Sequence, residues 1–249
     1  VSAVKENDLI PGTTTYVDKY YAIAKLADNR CWMISNYAKA SGIYITDVTS
    51  TTWGNADNAF NNALFTDPAV ATPINGTRTC TGVGYAATID DAITFLADSG
   101  SKTAGSIHNC GYLYNWYGAT DGTGLKNLTT TIATGSICPT GWHLPSYGKV
   151  DSAPLGWASN NEFGDLYAPN ASFARFVGTS SAWRGVHAGR VQISQLNNQN
   201  THGYYWTSSA NTPANYAFHL YFTTALAITN LTYDYKWEGK SVRCVLNVD

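Results

Sequence analysis

From Trp183 to its end the chain repeats one pattern: short runs of aromatic or β-branched residues, separated by Gly, Asn, Asp, Pro or Thr. The runs cover residues 189–193, 203–206, 217–222, 225–228 and 239–246. Each is too short for a stable helix and fits a strand bounded by turn residues. A chain written this way must close antiparallel sheets. In residues 217–222 the two-residue period sends Phe218, Leu220 and Phe222 to one face and Ala217, His219 and Tyr221 to the other. The first face is the core side in this reading, and His219 and Tyr221 are exposed.

Upstream, residues 14–37 read as a hairpin, with strand-like runs at 16–17 and 20–26, a turn at Asp28-Asn29 and a return at 30–35. Two helices are predicted. Residues 88–97 carry a Thr88 cap, Asp91 at the third helical position and Ile89, Ala92, Ile93 and Leu96 on one face. Residues 160–167 form a second helix weakened by Gly164. Residues 43–80 form a long ordered excursion rich in Thr, Asn, Asp and Pro, and 118–137 are a Gly/Thr loop. No composition break marks a linker and no internal repeat is found, so the 249 residues read as a single domain with short strands, one or two helices and long ordered loops.

Charge narrows the function. Only 13% of residues are charged, against about 25% in an average soluble domain. The deficit is filled by Gly, Thr, Ser, Asn and Tyr, with 17 Tyr and 8 Trp. Net charge is −2 and Lys/Arg clusters are lacking, which argues against a nucleic-acid groove. No apolar run approaches the roughly 18–20 residues of a membrane span. The chain begins at Val1, so a mature or trimmed form is expected. His108, His143, His187, His202 and His219 show no metal-binding spacing. Nucleophile elbows and phosphate loops are missing, and Glu occurs only at 6, 162 and 238. The expectation is a protein that is not an enzyme.

Its surface is suited to contact. Tyr and Trp supply wide contact area at low entropic cost, and Asn, Ser and Thr supply adaptable hydrogen bonds. The predicted binding residues are Tyr204, Asn211, Asn215, Tyr216, His219, Tyr221, Tyr233, Asp234 and Tyr235, together with Asn230. Trp116, Trp142 and Trp206 are assigned to the core, and Arg243 to a carboxylate or a backbone carbonyl. No metal site is assigned. Calcium is the one cofactor left open, because residues 121–124 and 230–234 contain oxygen ligands.

The five cysteines are Cys31, Cys80, Cys110, Cys138 and Cys244, without zinc spacing. In an oxidising compartment they allow two bridges and one leftover thiol. Five buried, reduced cysteines are the alternative.

Several blocks together carry a resemblance. Cys31-Trp-Met, Leu113-Tyr-Asn-Trp-Tyr-Gly-Ala119, Ile137-Cys-Pro-Thr-Gly-Trp-His-Leu-Pro145, Tyr205-Trp-Thr-Ser-Ser209, Leu220-Tyr-Phe222 and Ser241-Val-Arg-Cys-Val245 resemble, in order, the Fibrobacter succinogenes major paralogous domain family. Ala182-Trp-Arg-Gly185 and Ala188-Gly189 fit it too. The blocks span about residues 14 to 246 and leave 43–108 uncovered, as a long insertion. The resemblance implies a mixed α+β, C-type-lectin-like fold with short antiparallel sheets, one or two helices, long ordered loops and its terminal strands meeting, and a bacterial surface or secreted location. It also implies a structural bridge between Cys138 and Cys244. A second bridge is expected between Cys31 and Cys110 with Cys80 unpaired, although Cys80 could replace either partner.

Some members of that family are variable proteins of diversity-generating retroelements, which randomise adenines in a template copy. Residues 207–235 contain no Lys, Glu, Gln, Met or Trp. Those five residues are the ones that randomised Asn codons ending in a pyrimidine cannot encode. Chance is the competing explanation, since the whole chain is poor in Lys and Glu. The expected function is adhesion to, or recognition of, a protein or glycan on another surface. One rival is a subunit of a filament or envelope layer, which a free N-terminal strand (residues 1–15) would favour. The other is a polysaccharide hydrolase, which needs two facing carboxylates about 5–10 Å apart.

Overall fold

The structure, a computed structural model, describes residues 2–9, 14–39, 65–66, 111–124, 132–147, 162–167, 183, 185–192, 195–199, 201–223 and 232–246. The described residues are mostly antiparallel sheet, with little helix. The helix predicted at 88–97 and most of the 43–108 excursion lie outside them.

The N-terminal part folds as its pattern dictates. Strands β1 (Ser2–Leu9), β2 (Tyr16–Lys25) and β3 (Cys31–Met33) run antiparallel in sequence order. The turn falls where Asp28-Asn29 placed it. Asn29 takes φ 70°, a left-handed conformation that Asn tolerates well. The predicted filament feature is not met, because β1 is paired with β2 along its whole length, from Ser2↔Ile23 to Leu9↔Tyr16.

Two later strands complete this sheet. The C-terminal strand β12 (Val245–Leu246) inserts between β3 and β6 (Trp142–His143), giving the order β1-β2-β3-β12-β6. Val245 pairs with both Trp32 and His143. Both ends of the chain therefore share one sheet. The Cys138–Cys244 disulfide closes it, linking positions 106 residues apart in sequence.

A second sheet carries the region of interest. Its order is β11-β10-β9, built from β9 (His202–Asn211), β10 (Tyr216–Thr223) and β11 (Thr232–Tyr235). Two small ladders join β4 (Phe65–Thr66) to β5 (Leu113–Tyr114), and β7 (Arg190–Gln192) to β8 (Gln195–Asn197). Helix α1 (Trp116–Ala119) is one turn, capped by Asn115, whose side-chain oxygen accepts from Gly118 N at 2.8 Å. The expected helix at 160–167 is present as α2 (Glu162–Tyr167).

Trp32, Trp116, Trp183 and Trp206 are fully buried. Phe218, Leu220 and Phe222 join Trp32, Phe163, Trp183 and Tyr205 in one cluster, as the alternation predicted. Trp206 and Trp116 lie in the other large cluster with Tyr21, Tyr37 and Tyr114. Trp142 is corrected. It is only partly buried and lines a cavity, because its strand is the edge of the five-stranded sheet. Arg243 takes the role expected of it. Its Nη1 donates to the Trp183 carbonyl and its Nε donates to Asn36 Oδ1 at 2.8 Å, with the guanidinium 4.3 Å from the Trp183 ring.

One cysteine expectation fails. Cys31 is a free, half-buried thiol, so the Cys31–Cys110 bridge is not formed. Cys31 sits in strand β3 opposite Lys25 and Leu246, and that register commits its backbone to the sheet. Cys80 and Cys110 lie outside the described residues.

Candidate functional site

Cα partners across an antiparallel pair share a face. The registers Tyr216↔Tyr235 and Phe218↔Tyr233 place these four residues together. His219↔Thr232 and Ala217↔Asp234 occupy the opposite face, together with Tyr221, which pairs with Tyr204. The residues predicted as one patch therefore divide between two faces of the β11-β10-β9 sheet.

On the His219 face the side chains form a buried ionic cluster beneath aromatic rings. Arg190 Nη1 reaches Asp234 at 2.7 Å and Glu238 at 3.0 Å. Lys240 Nζ reaches the same two carboxylates at 3.0 and 2.5 Å. Gln192 Nε2 donates to Glu238 at 3.0 Å. Two cations and two anions balance, which is the condition for keeping charges inside a protein. Burial alone would raise the Asp234 pKa, but Lys240 and Arg190 outweigh it and hold the carboxyl down to about 2.

Tyr204 is clamped above this cluster. Arg190 lies 5.1 Å and Lys240 5.4 Å from its ring centroid, and its hydroxyl accepts from Asn198 Nδ2 at 2.9 Å. His202 stacks at 6.0 Å and Tyr221 packs at 5.1 Å. Burial pushes the Tyr204 hydroxyl up to about 12.

Three predicted surface residues belong to the interior. Tyr204 is 4% exposed, His219 4% and Asn211 7%. Alternation told the faces apart correctly but not what covers them. Residues 239–241 run beside β9, with Trp206 N donating to Ser241 O at 3.0 Å and Ser241 N to Tyr204 O at 3.0 Å. They bring Lys240 over the Trp206 ring, 4.6 Å from its centroid, and over the Tyr204 ring at 5.4 Å, and so cover the face expected to be exposed. His219 Nε2 meets Thr232 Oγ1 at 3.1 Å, while its Nδ1 is buried without a partner. Burial and the adjacent Lys240 hold its pKa well below that of a free histidine, so it is neutral.

The other face ends in accessible tyrosines. Tyr233 is 50% exposed, and Tyr216, Tyr235 and Asn215 are half-buried. Tyr216 stacks on Tyr235 at 4.6 Å and meets Tyr233 edge-on at 5.4 Å. Tyr235 continues onto Trp237 at 5.4 Å. A hydrogen bond with Tyr235 and the surrounding burial push the Tyr216 hydroxyl up to about 12. The rings pack on one another, so a partner meets them already in place.

Arg190, Glu238, Lys240, His202 and Trp237 were not predicted. One signal for two of them was present: Glu238 and Lys240 are opposite charges only two residues apart in sequence. Arg190 could not have been joined to them without the register that pairs Val191 with Gly239.

A cavity of about 520 Å³ lies elsewhere, walled by residues 132–146 together with Glu162 and Ser208. Glu162 is its only carboxylate among the described lining residues, so the paired carboxylates of a glycoside hydrolase are not assembled there. No cluster of three or more His, Cys, Asp or Glu suited to a metal occurs among the described residues. No helix of the described residues is long and apolar enough to cross a membrane. Compared with known proteins, the chain matches no protein family, no curated protein and no solved structure.

Proposed function

We propose that this chain is a bacterial secreted or cell-surface recognition domain of C-type-lectin-like type, which binds a protein or glycan on another surface by contact rather than by chemistry. The observation that carries the reading is the tyrosine ladder at the end of the β11-β10-β9 sheet. Tyr233 stands half out in solvent, braced by Tyr216 and Phe218, on a sheet whose neighbouring strand β10 buries Ala217, Phe218, His219, Leu220 and Phe222. Preformed aromatic anchors on a rigid sheet are what hot spots require. The ladder lies within the 207–235 stretch whose composition fits a diversified segment. Tyr221 and His202 supply a second, smaller aromatic edge on the opposite face.

This reading revises the contact set to Tyr216, Tyr221, Tyr233, Tyr235 and Asn215, and gives Tyr204, His219, Asn211 and Asp234 to the support beneath. It needs no metal, because Arg190 and Lys240 already neutralise Asp234. The test is a binding screen of the domain against arrayed glycans and intact cells. A Tyr216→Ala/Tyr233→Ala variant should lose binding at least tenfold, at about 1–2 kcal/mol for each anchor, while its melting temperature stays within a few degrees. Chelation should leave binding unchanged. Full binding by the double variant would sink the proposal.

A further inference from the structure

The cavity beside β6 is independent of the tyrosine ladder and has its own chemistry. Its wall is pinned from several directions. Ala133 N donates to Ser208 O at 2.8 Å, Ser208 N to Pro145 O at 2.8 Å, Ile137 N to Ala119 O at 3.1 Å, and Tyr147 N to Ser209 Oγ at 2.8 Å. Cys138, also in the wall, is tied to Cys244. The volume of about 520 Å³ falls in the ~300–1,000 Å³ range of small-molecule sites. The pocket is therefore present before any ligand arrives.

His143 is the polar feature of this cavity. Its Nε2 lies 2.6 Å from Glu162 Oε1, and its side chain is 36% exposed. Glu162 is buried, and its Oε2 accepts from Ser146 N at 2.6 Å and Ser146 Oγ at 3.1 Å. Burial would raise its pKa, but the bonds to His143 and Ser146 outweigh this and lower it, so the group is a carboxylate. A carboxylate can only accept, so His143 Nε2 carries a proton and donates to it. The pair fixes the ring orientation, as when a carboxylate orients a metal-binding histidine, and leaves Nδ1 for a further hydrogen bond.

The remaining wall identifies the ligand class. Thr134, Ser136 and Thr140 offer hydroxyls that both donate and accept, and Trp142 offers an indole. The Glu162 charge is already taken up by His143, Ser146 and the nearby Arg30, whose Nε is 4.0 Å away. An anionic ligand would meet that carboxylate, and a cationic one would find no unpaired anion. We propose that this cavity is a binding site for a neutral, hydroxyl-rich ring, a sugar unit, with a ring hydroxyl hydrogen-bonded to His143 Nδ1 and an apolar ring face against Trp142.

The experiment is a titration of the whole chain with glucose, galactose, N-acetylglucosamine, their β-linked disaccharides and, as the charged arm, glucuronate, following the His143 ring resonances and tryptophan fluorescence. The monosaccharide and disaccharide arms separate a free sugar from a chain end. A saturable shift at His143 with at least one neutral sugar is expected. It should weaken tenfold or more in Thr134→Trp and Thr140→Trp, which crowd the cavity from exposed positions and leave the His143–Glu162 pair untouched. The Tyr216→Ala/Tyr233→Ala variant should bind the sugar as well as the parent does, so failure here is separable from failure of the ladder. The assignment is overturned by the absence of any saturable response, by a response that survives both tryptophan variants, or by one confined to glucuronate and other charged sugars.

Discussion

His219 sits neutral against Trp206 and Lys240, with its Nδ1 unpartnered. An unfolded histidine titrates near about 6.5, whereas burial and Lys240 hold the folded one well below that. The unfolded chain therefore takes up the proton first. Stability should fall as the pH drops below about 6.5, and the loss should level off only below the folded pKa. His187 and His202 are lowered by burial as well and add to the slope in the same direction. Urea titrations from about pH 6.5 to about pH 5 should show this slope in the parent. In His219→Gln it should be clearly shallower; an unchanged slope would place the acid sensitivity elsewhere. Tyr204 shows what this burial means for function. Removing its ring would collapse the clamp between Arg190 and Lys240, so loss of binding in an alanine variant there would report damage to the support rather than a lost contact.

At the scale of elements, the β7–β8 hairpin hangs on one glycine. Gly189 takes φ +74°, and a Cβ there would lie 2.4 Å from the Asn197 carbonyl oxygen. Its N–H also donates to His202 O at 3.0 Å, which joins the hairpin to β9. Gly189→Ala should cost about 1–3 kcal/mol and should displace Arg190 from Asp234 and Glu238, visible as a lowered melting temperature. The disulfide acts at the same scale. Cys138 and Cys244 close a loop of 106 residues between the cavity wall and the segment leading into β12. In the chain-entropy model a loop of this size is worth about 4–5 kcal/mol. A Cys138→Ser/Cys244→Ser variant should lose stability of that order in denaturant titration, and the parent should lose the same amount on reduction.

At the scale of the molecule, β12 is inserted between β3 and β6, so the five-stranded sheet is complete only when the end of the chain arrives. Deleting residues 239–249 removes that strand, the Cys244 half of the bridge, Lys240 from the ionic cluster and Arg243 from Trp183. The truncated chain should show no cooperative thermal transition and little near-ultraviolet circular dichroism; a cooperative melt would mean that the first sheet folds without its last strand.

The local pattern alone was enough for the N-terminal hairpin, the turn at Asn29, helix α2 and the burial of Phe218, Leu220 and Phe222. Those features depend on side-chain periodicity and turn chemistry within a few residues of one another. The Cys138–Cys244 pairing was legible only through the resemblance, since spacing does not choose among five cysteines. What the tertiary structure decided was coverage. Whether Tyr204 and His219 meet water depends on residues 239–241 crossing their face, and whether Asp234 is free depends on Arg190, 44 residues away. Strand alternation tells which residues share a side of a sheet. It carries no information about what the rest of the chain lays on that side, because that contact is made between segments far apart in sequence and is set by packing, not by period.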